Sequence, residues 1–367
     1  MTAGRVLVSS IVRGAGERTT SGYLRVVDLG ARHVLARCGL PESRYRESDP
    51  NQRGGARGAR GVAVFGERVL IANNERLFIY DAAWRPMAEF SHPLLGDIHD
   101  VLPGPDGIWV ASTSSDLMVK LGWDGTLQGD WEWRRQPELV RGLGFDALPL
   151  VDRTLDYRDP GAAHGSASNV VHLNNVSATP WGMLLSFGRV LSPANYARRQ
   201  QAARDGAAGA AFASRVSGSA SVFLAWNGAD AQVLGHVAGT EVPNHNAMLI
   251  EGRLVYLDSN ASRLVARSLD GGREQAVAIP GVGGFVRGLL HLGGLRFLVG
   301  NQAPLALYVV DLATGSVTDC ILLPGLPAES PYGLCLLPDH FGDLPTALGP
   351  SAAQPTAEAG APLFVLS

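Results

Sequence analysis

Arg287-Gly-Leu-Leu, Arg296-Phe-Leu-Val-Gly and Ala306-Leu-Tyr-Val-Val-Asp succeed one another between residues 287 and 311, three short apolar segments separated by turns. The same order occurs four more times. Opening segments begin at Arg60, His99, Asn174, His245 and Arg287, each a polar residue leading into an apolar run. Second segments are Arg68-Val-Leu-Ile-Ala, Ile108-Trp-Val-Ala-Ser, Gly182-Met-Leu-Leu-Ser, Arg253-Leu-Val-Tyr-Leu and Arg296-Phe-Leu-Val-Gly, rich in the β-branched and aromatic residues that suit a pleated surface. Third segments, such as Arg76-Leu-Phe-Ile-Tyr-Asp and Arg263-Leu-Val-Ala-Arg, are equally regular, and a fourth follows. Four short strands per repeat are the signature of an all-β β-propeller.

A sixth unit is divided between the two ends of the chain. Tyr332-Gly-Leu-Cys-Leu-Leu supplies its inner strand, and Arg5-Val-Leu-Val-Ser, Tyr23-Leu-Arg-Val-Val-Asp and His33-Val-Leu-Ala-Arg supply the others. The expectation is a six-bladed propeller, one domain over residues 1–367, closed by pairing of N- and C-terminal strands in one blade. Pro362-Leu-Phe-Val-Leu-Ser is left over as a candidate edge strand. A chain of 367 residues exceeds the usual single-core size of roughly 250–300, but each blade packs only on its neighbours and escapes that limit.

Two lid-like insertions, about 131–168 and 190–217, interrupt the repeat next to one another. In the second, Ser192-Pro-Ala-Asn-Tyr-Ala-Arg-Arg-Gln has an N-cap serine, proline at the first helical position and strong helix formers, which predicts a helix. Its Ala- and Gly-rich tail from Asp205 to Ala213 has little to bury and is expected to be mobile. Long loops in a compact domain point to a roof over one rim or to a solvated excursion.

A net charge of −3 gives no bulk attraction to nucleic acid. No apolar run reaches the ~18 residues of a membrane span, and the first ten residues read as a strand rather than a signal peptide. Cys38, Cys320 and Cys335 lack metal-type spacing and read as reduced packing residues. Cytoplasm is the expected compartment. There is no phosphate-cradling loop, dinucleotide fingerprint or nucleophile elbow, so neither a nucleotide nor an organic cofactor is expected.

Chemistry belongs where the first strands converge on the axial channel. The opening residues there are Arg60, His99, Asn174, His245, Arg287 and Tyr332, and His172, two residues before Asn174, is assigned to the same strand face by the period of two. Its counterpart one unit earlier is Asp97. His99, His172 and His245 are candidate ligands for one divalent metal ion, candidate acid–base groups, or plain channel residues bonded to water and carbonyls. Arg60 and Arg287 would hold a carboxylate or phosphate, unless Asp97, Asp100 or Glu241 neutralises them. Tyr332 is a candidate proton donor or a packed plug, and Asn174 and Asn246 are candidate substrate-binding amides. The polar clusters Asn73-Asn74, Ser112-Thr113-Ser114-Ser115, Ser259-Asn260 and Asn301-Gln302 read as turn chemistry.

Pro243-Asn244 before a strand, then Leu254-Val-Tyr-Leu-Asp-Ser-Asn-Ala-Ser-Arg-Leu, resembles the repeat of the six-bladed gluconolactonase, regucalcin and strictosidine-synthase-like superfamily. Val171-His172-Leu-Asn174-Asn and Pro280-Gly-Val-Gly-Gly-Phe-Val-Arg287-Gly-Leu are similar to a bacterial propeller family of unknown function. The first resemblance implies a channel Ca²⁺ held by Glu, Asn and Asp. Of that set only Asn244 has a match here, and Gly333 stands where an acidic ligand is expected.

Two functions follow. One is a small-molecule enzyme of lyase, isomerase or hydrolase type, acting on an anionic, carboxylated substrate by histidine acid–base or histidine-ligated metal chemistry. The other is a non-catalytic platform for a ligand or protein. Fold alone does not choose between them.

Overall fold

The computed structural model describes residues 4–15, 20–49, 58–205, 218–240, 243–259, 261–281 and 285–349. They form six antiparallel four-stranded sheets, each named here by its opening residue. In chain order, the first strands are Val62–Phe65 (Arg60 blade), Ile98–Gly104 (His99 blade), Leu173–Thr179 (Asn174 blade), His245–Ile250 (His245 blade), Val286–Gly293 (Arg287 blade) and Glu329–Leu337 (Tyr332 blade). Each first strand lies at one edge of its sheet and touches the first strands of both neighbouring blades, and the last returns to the first, so the six edges line a closed ring.

The expected closure is present. Glu329–Leu337 pairs antiparallel with Arg5–Val12, which pairs with Gly22–Asp28 and so to His33–Gly39. A bidentate ion pair between Arg25 and Glu329, with both side chains fully buried, ties the two chain ends together inside this blade. Ser10 Oγ and the Pro324 carbonyl complete the contact.

The core is divided into six apolar clusters, one at each seam between adjoining blades. This explains why the middle strands are continuous apolar runs instead of alternating ones. Leu77, Phe78, Ile79 and Tyr80 are all buried because each face of their blade meets a neighbour. Burial at each seam is the main stabilising term, at roughly 25 cal/mol per Å² of apolar surface removed from water.

Both insertions carry short helices. The first contains a 3₁₀ turn, Trp133–Arg135, and two helical turns, α1 (Pro137–Gly142) and α2 (Pro160–Gly165); the second contains α3 (Pro193–Arg204). The predicted cap of α3 is formed, with Ser192 Oγ accepting from Asn195 N at 3.2 Å. Trp133, Leu139, Val140 and Phe145 of the first insertion join Tyr196 of α3 in the cluster between the His99 and Asn174 blades. The expected mobile tail after α3, Glu241 and the segment from Pro362 lie outside the described residues. So does the second member of the Ser259-Asn260 pair.

Cys38, Cys320 and Cys335 form no disulfide, and burial pushes the thiols of Cys38 and Cys335 up to about 12. Among the described residues, no helix is long and apolar enough to cross a membrane.

Candidate metal and anion site in the axial channel

His99 and His245 are brought into the channel by the same local device. Each stands at the start of a first strand beside a β-bulge, and fourteen residues later a hydroxyl at the end of the second strand meets its ring. Thr113 Oγ1 lies 2.8 Å from His99 Nδ1, and Ser259 Oγ lies 2.8 Å from His245 Nδ1. The Asp97 carbonyl is also 2.7 Å from His99 Nδ1. A carbonyl only accepts, and Thr113 Oγ1 donates to the Leu173 carbonyl. Nδ1 of His99 therefore carries the proton, and its Nε2 presents a lone pair. In the sequence these hydroxyls read as turn residues; the signal that could have singled them out is their identical spacing from the two histidines.

His172 arrives by a different route from the one the strand period suggests. Its φ is +51°, as Asp97, at the equivalent place one blade earlier, has φ +49°. It stands just before the first strand of its blade, which begins at Leu173. The left-handed conformation, uncommon for residues other than Gly but one that His, Asn and Asp adopt more readily than most, places this ring with the other two. Asn169 Nδ2 is placed 3.4 Å from His172 Nδ1 while Asn169 Oδ1 is buried without a partner. With that amide turned over, Oδ1 accepts the His172 Nδ1 proton.

The three rings converge. Centroids are 4.8 Å apart for His99 and His172, 6.3 Å for His99 and His245, and 6.1 Å for His172 and His245. One ligand nitrogen from each lies within 4.8 Å of the others, the one such group of His, Cys, Asp and Glu among the described residues. Burial holds all three imidazoles neutral: His99 is pushed down to about 3 despite Asp97. His172 and His245 fall well below their ordinary value by burial first, then by neighbouring imidazoles and arginines. Neutral imidazoles with Nδ1 engaged, which leaves Nε2 for a ligand, are the form that ligates a transition metal.

The two arginines differ. Arg60 is not a free clamp, because its guanidinium pairs with Asp97 and also reaches Asn74 Oδ1 at 3.3 Å. Burial raises the Asp97 carboxyl, but the Arg60 guanidinium outweighs it and holds the group well below the usual range. Arg287 stacks 3.7 Å above the Tyr332 ring and has no ion pair or hydrogen-bond partner for its guanidinium among the described residues. Burial, reinforced by Arg13 and Arg60, lowers it to about 9, so it is still cationic at neutral pH. Tyr332 Oη is buried beside it without a partner. Burial raises this phenol further, so it keeps its proton.

Of the two asparagine candidates, Asn246 already has a structural partner. Its Oδ1 accepts from Gly288 N at 2.8 Å, a clamp onto the next blade. Asp100 and Asn175 occupy the matching place in their blades and bind Val176 N and Ala247 in the same way. Asp100 thus does not neutralise an arginine; burial pushes its carboxyl up to about 7. Asn174 donates Nδ2 to the Asn244 carbonyl at 2.7 Å, and its Oδ1 is buried without a partner. Gly188 makes room for this, since a Cβ there would lie 2.2 Å from Asn174 Nδ2. The implied Ca²⁺ site does not fit, because the donors that converge are imidazole nitrogens, whereas Ca²⁺ takes oxygens.

Fold and site together define a six-bladed β-propeller with a triad of imidazoles in its axial channel. No known family profile matches the sequence, and no curated protein does. Among solved structures, the chain is similar to a protein of unknown function from Bacteroides caccae, with a TM-score of 0.53 and 12% identity over 92% of this chain and 99% of that one. A chain of a nidogen/laminin complex gives a TM-score of 0.53 at 10% identity over 90% and 97%. Virginiamycin B lyase from Staphylococcus aureus, solved with quinupristin, gives 0.44 at 11% identity over 75% and 73%. At such identities the likeness is one of fold alone.

Proposed function

We propose that the channel is the active site of an enzyme that binds one divalent transition-metal ion through His99, His172 and His245 and acts on a small carboxylated substrate held by Arg287. The observation that carries this is the adjacency of three convergent neutral imidazoles and a buried, unpaired guanidinium. Three nitrogens leave an ion open to a further ligand, and an ion so held polarises a substrate oxygen or lowers the pKa of bound water. A dication next to Arg287 also gives the pocket an excess of positive charge that an anion neutralises.

The residues of the chain have separate tasks. Arg287, braced against Tyr332, offers a planar fork to a carboxylate. Tyr332, protonated and without an internal partner, donates a hydrogen bond or a proton to an oxygen on which charge develops. Asn174 Oδ1, oriented by the hydrogen bond that Nδ2 donates to the Asn244 carbonyl, accepts a hydrogen bond from a hydroxyl or water. Imidazoles held this far below their ordinary range are weak general bases. Lyase, isomerase and hydrolase reactions are the classes such a site serves.

Metal analysis of protein purified without chelators tests the proposal. Wild type should carry about one equivalent of Zn²⁺, Mn²⁺, Fe²⁺, Co²⁺ or Ni²⁺, and His99→Ala and His245→Ala should lose it. Wild type that neither holds nor takes up metal rejects ligation. Thermal shift with malonate and lactate as probes separates an anion site from a bare platform: both should raise the melting temperature of wild type, and Arg287→Ala should abolish the rise. Equal shifts in the two proteins would remove Arg287 from the site.

A further inference from the structure

The triad is assembled asymmetrically, and the asymmetry gives the insertions a role. His99 and His245 come from regular strand starts, each with a hydroxyl from its own hairpin. At the matching place in the Asn174 blade the first-strand residue is Asn174 and the hydroxyl position is Gly188. The third imidazole comes instead from His172, in the segment leading out of the first insertion and in the left-handed backbone region, at φ +51°. A strained residue persists where its surroundings over-determine it.

Those surroundings are specific. Asp116, in the loop after the second strand of the His99 blade, is completely buried and itself has φ +55°. Its carboxylate accepts from three backbone N–H groups around His172: Val170 N and Val171 N at Oδ2, the latter at 2.9 Å, and Leu173 N at Oδ1 at 3.4 Å. Arg134 from the 3₁₀ turn of the first insertion lies 3.7 Å from this carboxylate and donates to the Ser168 carbonyl. Arg199 on α3 of the second insertion donates to the Asn169 carbonyl, while the Asn169 side chain meets the His172 ring. Val170 and Val171 are buried among Trp133, Leu139, Val140 and Tyr196 from the two insertions.

We propose that the two insertions form a mount that fixes His172 in the channel, with Asp116 as its positioning residue. The proposal deepens the metal reading, but the placement of His172 is measurable without metal. A buried carboxyl group that accepts from peptide N–H groups before and after His172 sets the direction of the chain on both sides of it. Arg134 and Arg199 hold the residues just before it. Removing any one of these groups should let the segment relax from the left-handed conformation and draw the imidazole away from His99.

The test uses the full chain with Asp116→Asn, and Arg199→Ala as the milder variant should Asp116→Asn fail to fold. In the metal-free protein, the close approach of the His99 and His172 rings should give an inter-ring nuclear Overhauser effect. It should vanish or weaken several-fold in either variant, while the far-ultraviolet circular dichroism stays that of wild type. Co²⁺ or Zn²⁺ affinity, measured by chelator competition, should fall 10- to 100-fold. The Co²⁺ visible spectrum should move toward that of His172→Ala. Glu329→Gln, which weakens the closing blade instead, should leave spectrum and affinity unchanged. An undiminished inter-ring effect in Asp116→Asn or, if that does not fold, in Arg199→Ala overturns the mount. Absence of metal binding in wild type, together with a weakened inter-ring effect in the variants, overturns the metal reading and leaves the mount standing.

Discussion

At the scale of single residues, the channel's chemistry depends on what occupies Nδ1. The Thr113 and Ser259 hydroxyls and the Asp97 carbonyl engage that atom in His99 and His245, which orients the rings and leaves Nε2 for a ligand. Thr113→Val keeps shape and removes the acceptor; Ser259→Ala removes the hydroxyl that meets His245 Nδ1. Each should reduce Zn²⁺ affinity 10- to 100-fold in chelator competition while changing the unfolding free energy by no more than about 1–3 kcal/mol. Affinities equal to wild type would show that neither hydroxyl orients a ligand. The opening residues were legible in sequence, because a repeated hairpin puts equivalent positions on one ring. What they bond to was legible only for Arg60, for which Asp97 stood among the candidate partners. Arg60 is neutralised by Asp97, which takes its place only through a left-handed backbone. Asn246 stands at a bulge, where one extra residue defeats counting by two. His172 was picked out by an alternation that does not extend to it, since the strand begins one residue later.

At the scale of elements, blade identity was legible because the strands lie between neighbours and read as uninterrupted apolar runs. The helix α3 was legible because Ser192-Pro193 is a local capping signal. The turns α1 and α2 were not, as six-residue helices in a mixed-charge stretch have too little periodicity to register. Nor was Asp116 singled out, since its three backbone partners are more than fifty residues away. The closing blade supports a quantitative expectation. Arg25 and Glu329 are both fully buried and doubly bonded, so Glu329→Ala leaves an uncompensated guanidinium and should cost about 3–5 kcal/mol in urea unfolding. Replacing both partners by Met and Leu should recover most of that cost. A cost near zero for the single variant would mean that the ion pair contributes little to joining the chain ends.

At the scale of the whole molecule, the ring turns distant sequence into one pocket. Six seams, each an apolar cluster shared by two blades, fix the rotation of every first strand about the axis. Side-chain clamps from Asp100, Asn175 and Asn246 then join successive first strands around one half of the channel. Rigid support of this kind lets neutral imidazoles and an unpaired arginine persist side by side in a buried place, where flexible elements would let them separate or take up water. The most direct test is a crystal structure of metal-loaded protein recorded at the absorption edge of the bound ion. The account predicts one anomalous peak in the channel, about 2.0–2.2 Å from a ring nitrogen of each of His99, His172 and His245. A channel with no peak between those rings, or a peak held by other side chains, would contradict it.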